Sequence, residues 1–121
     1  MEKIKELFHQ IDEIDKDIDS KIKQKRMIFE KIKQEFDSKI VPEIKKQLGV
    51  KVICDVFQNV ENPADINLTI FVCDERVSPN SLDEKYEKED LLLNKVYSIL
   101  DKMLSKEIAN KVSVIPVLGN C

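Results

Sequence analysis

The stretch IKELFHQIDEIDKDIDSKIKQKRMIFEKIKQEFDSKI, residues 4–40, decides how the rest of the chain is read, and it contains neither glycine nor proline. Its apolar residues fall at Ile4, Leu7, Ile11, Ile14, Ile18, Ile22, Phe29, Ile32, Phe36 and Ile40, with Lys25 in the one polar slot. Counting that slot, ten steps span 36 residues, a mean of 3.6 per step, which is the repeat of a straight α-helix. The first five positions step by three and four, as a heptad seam does. The step of four from Ile18 to Ile22 is a stutter that locally unwinds a left-handed supercoil. Met27 and Ile28 broaden the apolar face beside Phe29.

A helix of about 38 residues is about 57 Å long, whereas the ~73 residues that follow fold to a radius near ~11 Å. A domain that small cannot cover such a helix along its length. The uncovered part of the stripe needs a partner protein, a second copy of itself, or a hidden turn at Asp15–Ser20, where helix propensity is lowest. Charge along the helix is segregated. Asp12 to Asp19 carries five acids and one lysine, and Lys21 to Lys33 carries six bases and one acid. Two copies aligned antiparallel and crossing near residues 20 to 22 set each acidic block against the other's basic block. A parallel pair in register sets like against like, so the charges favour the antiparallel homodimer.

Val41-Pro42 ends or kinks the long helix, because proline disfavours helix in the residue before it. Glu43 to Leu48 forms a last short turn that Gly49 caps. Beyond it the period changes to two. Val50 to Phe57 and Ile66 to Cys73 read as strands, joined by a loop that contains Asn62-Pro63. Ser81-Leu82-Asp83-Glu84 opens a helix as a capping box, with Ser81 as N-cap, and the helix runs to about Ala109. Its apolar face is Leu92, Leu93, Val96, Leu100, Met103 and Leu104. Lys111 to Val117 is a third strand. The expected fold is therefore α+β: a long, coiled-coil-like helical segment over residues 1–48, then a small ββαβ domain with a three-stranded sheet over residues 49–121.

Composition removes several functions. The chain has 121 residues, a formal charge of −3 and only two glycines, so there is no glycine-rich phosphate loop or dinucleotide fingerprint. One histidine and three scattered cysteines do not make a zinc cage, and no cofactor or metal is expected. The 18 lysines against two arginines, with 15 isoleucines, fit an AT-rich genome or a high growth temperature. No window is apolar enough for a membrane span, and the charged amino terminus lacks the core of a signal peptide. The cytoplasm is the expected compartment, and the odd cysteine count agrees with it. Cys54 and Cys73 lie in apolar strands and read as buried, inert thiols, while Cys121 is free to form an intermolecular disulfide on oxidation.

Three sets of residues could carry chemistry. Asp15, Asp17 and Asp19 imitate the start of a calcium loop, but Ser20 stands where glycine is required and Arg26 where a bidentate glutamate is required. They read as solvated helix surface, as does His9. The second set is Asp55, Asp65, Asp74 and Glu75. A Pro63-Ala64-Asp65 turn, a strand and the triplet Asp74-Glu75-Arg76 resemble restriction-type nucleases, which hold magnesium with two carboxylates and orient water with a lysine. Arg76 stands in the lysine position and cannot exchange protons in the same way. The third set is Lys21, Lys23, Lys25, Arg26, Lys31 and Lys33, a basic block for phosphates without exposed aromatic residues beyond the stripe. The αββαβ order is similar to one form of the KH nucleic-acid module, whose glycine-rich clamp this chain lacks.

The sequence thus reads as a non-catalytic cytoplasmic protein of interaction, assembly or regulation. It oligomerises through Ile4, Leu7, Ile11, Ile14, Ile18, Phe29, Ile32 and Phe36, as an antiparallel homodimer or with a helical partner protein. A metal-dependent nuclease or phosphodiesterase using the strand-end carboxylates is the alternative, and nucleic-acid binding through the basic block is a second one.

Overall fold

The computed structural model describes residues 2–121. Helix α1 (Glu2–Glu35) runs unbroken through Asp15–Ser20, so there is no hidden turn. It continues through a π-helical segment, Phe36–Ile40, into α2 (Val41–Leu48). Pro42 accounts for the change in winding. It has no N–H for the carbonyl four residues back, and its ring crowds that carbonyl. The Val41 N–H instead reaches the carbonyl of Phe36, five residues back. The proline changes the winding of the helix without ending it. Gly49, at φ 63°, terminates α2 in the left-handed region, as expected from its position after Leu48.

Strands β1 (Lys51–Gln58) and β2 (Ile66–Asp74) pair antiparallel, and β3 (Ser113–Leu118) adds to β2 in parallel, giving the order β1-β2-β3. A parallel pair needs a long crossover. Helix α3 (Leu82–Met103) and the short α4 (Lys106–Ala109) supply it. Ser81 caps α3, its Oγ accepting the Glu84 N–H at 3.1 Å, while the Glu84 carboxylate accepts the Asn80 N–H at 3.1 Å. The helix expected to reach Ala109 breaks at Leu104-Ser105. Ser105 takes φ 141°, and its Oγ accepts the Ile108 N–H at 3.3 Å to start α4.

One face of the sheet carries the core. Val52, Cys54, Leu68, Ile70 and Val72 meet Leu92, Val96, Ile99 and Leu100 of α3, and also Phe36, Ile40, Val41 and Ile44 from the end of the long helix. Ile99 had no place on the face read from sequence, where Met103 stood instead; Met103 is 41% exposed. The core also crosses residue 48, because the root of the helical segment and the sheet bury the same surface. Phe36 corrects one expectation. It is only 5% exposed within its own chain, so most of its side chain packs in the core and little is left for an interface.

The cysteines need a second correction. Cys73 is not an isolated thiol, and Cys121 is not on a free tail. The two are disulfide-bonded within one chain, with Cα atoms 6.0 Å apart and a sequence separation of 48. The parallel register brings this about: Asp74 pairs with Leu118, and the Gly119 N–H donates to the Asp74 carbonyl at 2.9 Å, which turns the tail toward Cys73. Cys54 does behave as an inert thiol. It is buried and free, and burial pushes its pKa up to about 11.

Candidate interaction surface

The long helix has two environments. From about Lys25 onward it lies against its own sheet domain: the Lys25 ammonium donates to the Ala64 carbonyl at 2.7 Å, and the Arg26 guanidinium donates to the Gln58 side chain. Ile22 and Phe29 are half-buried, and Phe36 is fully buried. Below that point nothing among the described residues covers the stripe. Ile4, Leu7, Ile11, Ile14 and Ile18 keep 49–60% of their surface exposed, and Phe8 beside them keeps 65%. The free segment is about 20 residues, or ~30 Å of helix. Its polar side holds ion pairs of its own, including Lys21–Asp17 at 3.2 Å and Lys16–Glu13 at 3.6 Å.

An apolar groove of about 240 Å³ lies where the covered half of the helix meets the end of the crossover. One wall is Phe29, Ile32 and Phe36 of the long helix, and the other is Ile108, Lys111 and Val112. The buried Leu68 of β2 completes it. Sequence reading placed Ile32 on the interface and missed the other wall. Ile108, 48% exposed on α4, reads from sequence as the continuation of a helix that in fact stops at Met103.

The basic block is partly engaged within the chain. Lys25 and Arg26 hold the β1–β2 loop, Lys21 pairs with Asp17, and Lys33 pairs with Asp37 at 2.7 Å. The hydrogen bond to Asp37 raises the pKa of Lys33. Among the described residues, Lys23 and Lys31 have no such partner.

The four carboxylates are not brought together. Asp65 precedes β2 and Asp74 ends it, so they sit at opposite ends of a strand of nine residues. Asp55 is mid-strand opposite Thr69, and Glu75 pairs with Lys51. Among the described residues no three His, Cys, Asp or Glu side chains group as metal ligands. Asp74 serves a structural clasp. The Arg76 guanidinium donates to its carboxylate at 2.9 and 3.1 Å and to the Leu48 carbonyl at 2.9 Å, tying the exit of β2 to the end of α2. That hydrogen bonding holds the Asp74 pKa below the usual carboxylate range. Gly49 keeps the clasp open, since a Cβ there would lie 3.3 Å from the Arg76 guanidinium.

No known protein-family model matches the chain, and neither a curated protein nor a solved structure matches it. No helix among the described residues is long and apolar enough to cross a membrane.

Proposed function

We propose that this chain is a non-catalytic assembly or regulatory protein that forms a homodimer by antiparallel pairing of its long helix. The observation that carries the reading is the change of environment along one continuous stripe. The upper half of the stripe is covered by its own sheet, while Ile4, Leu7, Ile11, Ile14 and Ile18 are left half in water. Burying one such side chain fully contributes about 1.5–3 kcal/mol, whereas an exposed ion pair contributes about 0–1 kcal/mol. Apolar burial therefore drives the association and charge selects its direction. Pairing also stabilises the helix itself, because an unpacked segment of about 20 residues is marginal in water. A coiled-coil seam fits the 3–4 spacing up to Ile18.

We propose the cytoplasm as the compartment of this assembly, a reading supported by the charge-rich composition. With Cys73 and Cys121 paired within one chain and Cys54 buried, helix pairing has to hold the dimer without help from a disulfide between chains. Light scattering on the full chain tests the reading. The wild type is expected to be a dimer at micromolar concentration, and Ile11→Asp with Ile14→Asp a folded monomer. A wild-type chain that stays monomeric at high micromolar concentration overturns it.

A further inference from the structure

We infer that each protomer of this dimer receives the N-terminal turns of its partner's helix in the groove between the long helix and α4. The inference rests on the antiparallel reading and adds the surface on which the pair closes.

The acidic block centres near residue 15 or 16 and the basic block near residue 27. Setting one against the other makes facing residue numbers sum to about 42, with the crossing near Lys21. Residues 6 to 13 of one chain then lie beside residues 29 to 36 of the other. These are the numbers of the groove's first wall, Phe29, Ile32 and Phe36. The incoming segment carries Leu7, Phe8 and Ile11, which are 49%, 65% and 52% exposed in the single chain.

Above Ile22 the sheet of its own chain covers part of the stripe, and Phe29, Ile32 and Phe36 also wall the groove. Helices that cross at about 20° diverge. Over the ~18 Å from the crossing to residue 9, that angle moves the partner sideways by ~6 Å, about half a helix diameter. A displacement of that size toward α4 brings the partner over the groove, whose far wall holds the exposed Ile108. The groove's one charged lining residue is a base, Lys111, and the incoming segment carries Asp12 and Glu13 next to Ile11. Register, polarity and charge sign point to one occupant: residues 4–13 of a second copy.

Cross-linking tests the placement separately from dimerisation. Two chains are prepared with Cys73 and Cys121 replaced by serine, one carrying Leu7→Cys and the other Ile108→Cys, and are mixed and treated with a short bismaleimide. The mixture should yield a linked heterodimer, while the Leu7→Cys chain alone should yield no linked product. Ile108→Lys should weaken dimerisation at least tenfold with the monomer still folded by circular dichroism. A dimer by light scattering that links Leu7→Cys to itself, or gives no link to position 108, overturns the groove while leaving self-association standing. A chain that is monomeric throughout overturns both.

Discussion

Residues 4–18 and residues 22–44 belong to one amphipathic helix system with one repeat, yet the structure uses them differently. In the upper region Phe36, Ile40, Val41 and Ile44 are sealed against β1, β2 and α3. In the lower region the equivalent stripe positions stay about half exposed. Amphipathicity says that a face will be buried; it does not say by what. The difference comes from length, since the sheet extends only as far down the helix as its β1–β2 loop, which Lys25 and Arg26 hold. The upper region therefore determines the stability of the single chain, and the lower region carries the association we propose.

Substitution separates the two regions sharply. Phe36→Ala should cost about 3–5 kcal/mol in urea unfolding, as large-to-small changes at buried aromatic residues do. Ile14→Ala, measured where the chain is monomeric, should cost under about 0.5 kcal/mol, because it empties no packed site. Equal losses at the two positions would remove the contrast. The oxidised protein should lose about 2–4 kcal/mol with Cys121→Ser, since the bridge closes a 48-residue separation in the unfolded chain. Thiol titration of the oxidised chain should find no fast-reacting group when native and one, Cys54, on unfolding. Two or more free thiols in denaturant would contradict the intramolecular pairing.

Ser81→Ala should cost about 1 kcal/mol by removing the α3 cap and leave the proposed association unchanged. The smallest effect is a pH dependence at the Arg76 clasp. The folded pKa of Asp74 is lowered, so its stabilising contribution is complete above the ordinary carboxylate pKa and disappears as pH falls through the folded value. Arg76→Gln should return the Asp74 titration seen by NMR toward the ordinary range. An unchanged midpoint would remove the clasp as its cause.

Much of the fold was legible because local rules agreed with one another. The 3.6-residue repeat gave the long helix, alternation gave the strands, Gly49 marked the end of α2, and Ser81 with Glu84 marked the start of α3. The unread features depend on distant partners. The Phe36 environment requires knowing where the sheet stops, and the Cys73–Cys121 bridge follows only from the parallel register of β2 and β3. Asp65 and Asp74 looked neighbourly as members of one motif, yet a strand of nine residues holds them apart. The break at Ser105 had no proline or glycine to announce it, and that break presents Ile108 to the groove.

Distances between spin labels in the dimer test the antiparallel crossing most directly. Labels at Lys21→Cys should report a short interprotomer distance, and labels at Lys3→Cys one of about 54 Å, twice 18 residues of helix rise. A short distance at both positions would mean a parallel pair. No dipolar coupling at position 21 would mean that the exposed stripe does not self-associate, and either result contradicts the account.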